Sequence, residues 1–220
     1  MERISATSNF IHNAGDHVAR YIWASNKLKN KTTLDCGCGE AYGTRWLNDK
    51  DINIVGLDNS INAIKSAIDK TSSWNNLIIG DVQFMPFRTE SFEAVVSFEV
   101  LEHLENGRLF LDEIIKILRS NGIFIGSTPI RKPKRYKNNR PRNPFHKREY
   151  NIKEINYLLK SNFKEVKLYG QKFPNNLIGI FLSQIYKMKM LQNQYGFYSI
   201  RENVTNNDEK CLWEACSIEL

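Results

Sequence analysis

The sequence predicts an α/β protein: a doubly wound, parallel sheet with helices on both faces. Three observations lead there. Short strand-like runs alternate with segments of helical periodicity. The first run ends in a Gly-rich turn, DCGCGEAYG at 35–43, which opens a helix. The second run, IVGLD, ends in Asp58, about twenty residues after the first strand's acid, Asp35. In such a sheet this arrangement builds a nucleoside pocket, with glycines admitting the ligand and the second acid accepting from ribose hydroxyls.

Each element follows in order. Residues 16–28 carry Val18, Ala19, Ile22 and Trp23 at helical spacing and read as a lid helix before the first strand. Residues 32–36 are strand one, and a helix starts near Ala41 with Trp46 and Leu47. Strand two is 52–57. Ser60 caps the next helix, which has Ile61, Ile64, Ala67 and Ile68 on one face. Strand three, 77–79, runs into GDVQFMPF, and strand four is 94–98. A helix at 109–118 buries Phe110, Leu111, Ile114, Ile115 and Leu118, with Asn121-Gly122 as its stop. Strand five is 123–127. Asn151 and Glu154 have capping-box spacing ahead of Ile155, Leu158 and Leu159. Strands six and seven are 166–171 and 212–218. The roughly forty residues between them, including an apolar helix at 177–191, are long for a connection and read as a cap or interface segment over 174–210. The length fits a single domain, 1–220, with its lid helix inside 1–30.

Composition narrows the class. No apolar run reaches about 18 residues, so no transmembrane helix is expected, and MERISATSNF lacks the blocks of a signal peptide. The four cysteines, Cys36, Cys38, Cys211 and Cys216, have no metal-knuckle spacing and read as reduced thiols of a cytoplasmic protein. The net charge of +7 is concentrated at 131–148, where nine of eighteen residues are Lys or Arg and none is acidic. Pro133, Pro141 and Pro144 keep this stretch from being a helix. It is either a solvated loop or a clamp for an anionic substrate, such as a nucleotide-sugar, a phosphorylated glycan or a nucleic acid; its position after strand five favours the clamp.

The turn itself discriminates between nucleosides. A dinucleotide site places a pyrophosphate on the helix N-terminus, where Glu40 would repel it. A cationic or zwitterionic ligand fits better. The D-x-G-x-G turn, Asp58 at the end of strand two, and Gly80-Asp81 after strand three together resemble the class I S-adenosylmethionine-dependent methyltransferases. The segments at 17–24, 34–47, 80–87, 92–106, 126–129, 143–150 and 168–173 add, in order, a resemblance to methyltransferases of surface-polysaccharide and glycan pathways (methyltransferase types 11 and 23). The likeness fades beyond Phe173.

That resemblance implies a Rossmann-like, seven-stranded sheet whose last strand is antiparallel, and S-adenosyl-L-methionine as cofactor. Gly37 and Gly39 would pass its methionine moiety and Asp35 would orient the ammonium. Asp58 would take the ribose hydroxyls. Asp81 would accept from the adenine amino group, with the Val82 backbone reading the ring, and Phe98 would line the sulfonium pocket. Arg20 and Tyr21 either reach the methionine carboxylate or are simply a surface and core pair. The implied reaction is methylation of a sugar or phosphorylated glycan, an anionic small-molecule or glycan acceptor.

Glu99, Glu102 and His103 follow strand four, where the donor methyl should lie, and His146 lies on the basic loop. A hydroxyl acceptor needs a base, so His103, His146 and Glu99 are the catalytic candidates. A purely structural role, capping and packing beneath the pocket, is the second reading. The same residues also make an O/N ligand set, and E-x-x-E-H with a later His resembles the metal-assisted small-RNA 2′-O-methyltransferases. Tyr136, Phe145 and Tyr150 could stack a sugar or a base, and are too few to argue RNA over glycan. A non-catalytic binding module on the same fold is the remaining alternative. The oligomeric state is not legible.

Overall fold

The computed structural model describes residues 10–69, 76–132, 136–137, 140–141, 143–172, 199–202 and 210–216. Helix α1 (Phe10–Leu28) precedes β1 (Thr33–Cys36), α2 (Tyr42–Asn48), β2 (Ile54–Asp58), α3 (Ile61–Asp69), β3 (Leu77–Ile79) and β4 (Phe92–Phe98). A 3₁₀ turn (Leu101–His103), α4 (Gly107–Ile117) and β5 (Leu118–Pro129) follow. The two-residue strands β6 (Tyr136–Lys137) and β7 (Arg140–Pro141) pair with each other. Helix α5 (Ile152–Lys160), β8 (Glu165–Lys172), β9 (Ser199–Glu202) and β10 (Lys210–Cys216) complete the described chain.

The main sheet runs β3-β2-β1-β4-β5-β10-β8-β9. Strands β1 to β5 are mutually parallel. β10 lies antiparallel between β5 and β8, as the expected last strand should. The strand order reverses beside β1, which places the carboxyl ends of β1 and β4 at a topological switch point, where such sheets bind ligands. Strand β9, antiparallel to β8, is an additional edge strand that the sequence pattern did not reveal.

Alternating side chains feed two cores. Leu34, Cys36, Val95 and Phe124 face one way and pack with Phe110, Leu111 and Ile114 of α4 and Leu159 of α5. Ala94, Val96, Phe98 and Ile125 face the other way and pack with Tyr21, Ala24 and Leu28 of α1. The period of two along β4 and β5 therefore separates a layer containing α4 and α5 from one containing α1. Asp35, between Leu34 and Cys36, points to the α1 side. The α5 capping box forms as expected: the Glu154 N–H donates to Asn151 Oδ1 and the Asn151 N–H to Glu154 Oε2, both at 2.9 Å. The Ala63 N–H donates to the Ser60 hydroxyl at 3.2 Å.

Two expectations need correction. Asn121-Gly122 does not end the fourth helix. That helix stops at Ile117, Leu118 is already extended, and Asn121, with φ 59°, makes a kink inside β5 where the register with β4 shifts. Helix α1 starts at Phe10, ahead of the expected Asp16. The apolar helix expected at 177–191, and most of the 174–210 cap, lie outside the described residues. No described helix is long and apolar enough to cross a membrane.

Candidate active site

The glycine turn is bonded to the end of β2. Gly37 and Gly39 have φ of 75° and 57°, a left-handed backbone that glycine adopts without penalty. This geometry turns three successive N–H groups inward. Gly37 and Cys38 both donate to the Leu57 carbonyl, at 2.7 and 3.0 Å, and Gly39 donates to Asp58 Oδ2 at 2.9 Å. In a dinucleotide site those donors would meet the pyrophosphate. Here they are spent internally, and the anion at the turn is the protein's own carboxylate.

Asp58 is 5 % exposed and its other oxygen accepts from the Ser60 N–H at 2.8 Å. A carboxylate has about four acceptor positions, so two backbone donors leave room for hydroxyl donors. A Cβ built on Gly39 would meet nothing within 4 Å, so the space beside the turn is open. A Cβ on Gly37 would overlap Val100, which closes the floor below.

Asp35 is fully buried. The Thr44 hydroxyl donates to Oδ2 at 2.7 Å and the Tyr21 hydroxyl at 3.0 Å. Burial pushes its carboxyl up to about 6, although the bonds from Thr44 and Tyr21 favour the charged form; the nearby Asp58 charge adds to the rise. Burial, then the Asp35 charge, lifts the Tyr21 phenol well above its usual range, so it stays a donor. Tyr21 reaches Asp35 because Gly43 of α2 has no side chain: a Cβ there would overlap the Tyr21 ring. Phe98, 6 % exposed, stands edge-on to Tyr21 with ring centroids 4.9 Å apart.

Asp81 and Val82 sit in a turn just after β3. Asp81 Oδ1 accepts the Gln83 N–H at 2.8 Å, and Val82 is buried. The Gly80 N–H donates to the Asp58 carbonyl at 3.1 Å, which fixes this turn beside β2. Arg20 is also fully buried, so the surface-and-core reading of Arg20 and Tyr21 fails. Its Nε donates to Gln171 Oε1 at 2.8 Å, and its Nη1 lies 3.5 Å from Glu99 Oε1. Helix α1 is thereby tied to β8 and to the end of β4.

On the other side of β4, Glu99 has a φ of 59°, an uncommon backbone for a residue with a side chain, and one that clusters at functional sites. Its Oε1 accepts from the Ser127 hydroxyl at 2.8 Å. Glu102 is 1 % exposed and accepts from Thr128 Oγ1 at 3.0 Å. The Glu102 carbonyl accepts the Lys147 and Arg148 N–H groups, at 2.7 and 3.1 Å, and so docks the basic loop onto the 3₁₀ turn. His103 Nδ1 is 2.9 Å from the Phe145 carbonyl, and the His103 and His146 rings stand 5.0 Å apart, edge to face. His146 Nδ1 is 2.8 Å from Glu149 Oε1. Among the candidates, His103 and His146 come together with Glu102, whereas Glu99 belongs to the Arg20 and Ser127 network.

Comparison with known proteins agrees with this geometry. A family described as "Methyltransferase domain" matches residues 34–126, from β1 into β5. Residues 34–126 form a class I S-adenosylmethionine-dependent methyltransferase domain. A Mycolicibacterium smegmatis protein named "probable S-adenosylmethionine-dependent methyltransferase" is 31% identical over 150 residues, covering 68% of this chain and 58% of that protein. A Mycobacterium tuberculosis relative with the same description is 29% identical over 155 residues, 70% of this chain and 56% of its own length. The chain thus spans little more than half the length of these curated relatives. Among solved structures, a Thermotoga maritima S-adenosylmethionine-dependent methyltransferase superposes with a TM-score of 0.71 at 16% identity, over 95% of this chain and 92% of that one. The cyclase SpnF gives 0.66 at 11%, over 98% and 86%. These two likenesses concern the fold alone.

S-adenosylmethionine is the cofactor of this domain class, and the cradle fits it. It offers open space at Gly39, an acceptor-rich Asp58 for vicinal hydroxyls, and buried acids in place of an anion-binding nest. Thr44, Ser127, Gln171 and Glu149 were not singled out from sequence. The spacing of Thr44, nine residues after Asp35 on the first turn of the helix, was the one local signal available.

Proposed function

We propose that this chain transfers a methyl group from S-adenosylmethionine to a hydroxyl of an anionic sugar or phosphorylated glycan, in the cytoplasm and toward surface polysaccharide. The cofactor supplies an activated methyl on a sulfonium. The chain's own residues then have three tasks. Asp58 and the Gly37–Gly39 turn hold the nucleoside, with Asp81 and Val82 at the base. Asp35, buried behind Tyr21 and Thr44, sets a negative charge toward the cationic end, Phe98 walls the reacting centre, and Arg20 secures α1 over it. The His103 and His146 pair orients the acceptor hydroxyl and promotes the loss of its proton, the step that general acid–base catalysis serves.

The observation that carries the acceptor class is the docking of the basic loop onto Glu102 and His103. The cation-rich stretch is thereby anchored to the 3₁₀ turn that follows β4. Beside it, a cavity of about 240 Å³ is lined by Arg108, Arg148, Tyr150 and Tyr157 together with Glu105 and Glu154. Arg148 lies over the Tyr150 ring at 4.7 Å. The exposed Tyr157 ring and hydrogen-bonding charges of both signs suit a sugar better than a purely apolar acceptor. Incubation with methyl-labelled donor and a panel of nucleotide-sugars, phosphorylated glycans and RNA tests the reading. Label in a sugar hydroxyl is the expected result. Label only in RNA, or in none of the panel while the donor binds, overturns the acceptor class.

A further inference from the structure

We propose that Glu102, His103 and His146 form a binding site for a first-row divalent cation. One ligand atom from each lies within 4.8 Å of the other two. Three atoms bound to one cation at about 2.1 Å stand about 3.4–3.6 Å from one another, so an approach of little more than an ångström closes the set.

The hydrogen bonds around the two rings prepare them for ligation. The Phe145 carbonyl can only accept, so the His103 Nδ1 facing it at 2.9 Å carries the hydrogen and Nε2 keeps the lone pair. At His146, Nδ1 is 2.8 Å from Glu149 Oε1 and Nε2 is 3.0 Å from Asn143 Nδ2. The Asn143 amide is oriented by its own Oδ1, which accepts the Phe145 N–H at 3.0 Å, so its nitrogen is what meets Nε2. An amide nitrogen only donates, so His146 also carries its hydrogen on Nδ1 and its lone pair on Nε2. Metal-binding histidines characteristically donate the other ring N–H to a carbonyl or carboxylate, and both rings do so here. The Asn143 N–H occupies the position a cation would take on His146.

Charge favours the same assignment. Glu102 brings a buried carboxylate, and Glu149 backs His146 from the second side. Of the adjoining described cations, Lys147 Nζ lies 2.8 Å from Glu105 Oε1 and Arg148 Nη2 lies 3.8 Å from Glu154 Oε1. Two imidazoles and one carboxylate suit Zn²⁺, Mn²⁺, Fe²⁺ or Co²⁺ better than Mg²⁺ or Ca²⁺. Resting on the function proposed above, the cation binds the acceptor oxygen and acidifies its hydroxyl. The O–H proton passes to water, the new O–CH₃ bond forms as the S–CH₃ bond breaks, and the two imidazoles act through the cation.

The test uses the untagged full chain after dialysis against chelator. Zn²⁺, Mn²⁺, Co²⁺ and Mg²⁺ are each titrated by calorimetry, and the Co²⁺ absorption spectrum is recorded. One equivalent of Zn²⁺, Mn²⁺ or Co²⁺ should bind, with Mg²⁺ at least about tenfold weaker. His103→Gln and His146→Gln should each weaken binding by about thirtyfold or more, and Glu149→Gln by about tenfold. S-adenosylhomocysteine binding by the same samples reports that each variant is folded and reads the cofactor site separately. A wild-type chain that binds S-adenosylhomocysteine but no equivalent of any of these cations overturns the metal site alone. So do folded His103 and His146 variants with wild-type cation affinity.

Discussion

The two halves of the site are built by different kinds of contact. On the cofactor side, the turn after β1, the end of β2 and the turn after β3 are each short βα connections. Their groups meet through neighbouring parallel strands: Gly39 on Asp58, Gly80 on the Asp58 carbonyl. On the proposed acceptor side, His103 meets Phe145 across 42 residues, and Glu102 meets Thr128 across 26. Local geometry shapes the first half; a folded-back loop after β5 shapes the second. The first half should therefore survive changes that dismantle the second, and the reverse does not hold.

The largest expected effect lies on the acceptor side. His103→Ala should cut methyl transfer by about 10² to 10⁴-fold, the usual worth of assistance to the proton's departure. Donor affinity should change little. If calorimetry showed donor affinity falling in parallel with turnover, the division into two halves would be wrong.

On the cofactor side, Asp35 links stability to pH. Its carboxyl titrates at about 6 in the folded chain against 3.8 when unconstrained. Between those values the folded state holds more protons than the unfolded one, so this group's contribution falls as pH rises through the window and is flat above it. Asp35→Asn should equal wild type near pH 4 and exceed it above pH 6, by up to about 3 kcal/mol. Urea unfolding at the two pH values measures this, and equal stability at both would show that the burial of Asp35 costs nothing. The ionised carboxylate is also what a cationic ligand needs. Donor affinity in the wild type should therefore rise with pH up to about 6 and then level off, and the Asn variant should show no such rise.

Smaller still is the packing that holds Tyr21 on Asp35. Gly43→Ala pushes a methyl into the Tyr21 ring, an overpacking that costs about 1–3 kcal/mol. Thermal unfolding should show the loss, with a modest fall in donor affinity. An unchanged melting temperature would mean that the ring moves aside freely and does not anchor the acid.

The same division decides what could be read from the chain. That Asp35 and Asp58 stand at strand ends, and Gly37, Gly39 and Asp81 in the turns after them, was legible because strand ends and tight turns leave residue-type signatures at fixed spacing. Asn151 with Glu154 was legible for the same reason. Asn121-Gly122 carries the residues of a helix stop, yet the backbone spends them on a kink within a strand, because β5 must begin at Leu118 to pair with Phe92. The separation of Glu99 from Glu102, only three residues apart, depends on Arg20 and Ser127 arriving from other elements. Gln171, which holds Arg20 from β8, has no local signal at all. Strand β9 is short and sits at the sheet edge, where pairing rather than pattern defines it.

The glycine turn consumes its own N–H groups and leaves a carboxylate to meet the ligand. Calorimetric titration of the wild type and Asp58→Ala with S-adenosylhomocysteine, and of the wild type with NADH, tests this most directly. The wild type should bind S-adenosylhomocysteine and not NADH, and Asp58→Ala should lose about 1.5–3 kcal/mol of that affinity. Binding of NADH, or an Asp58→Ala variant with undiminished affinity, would contradict it.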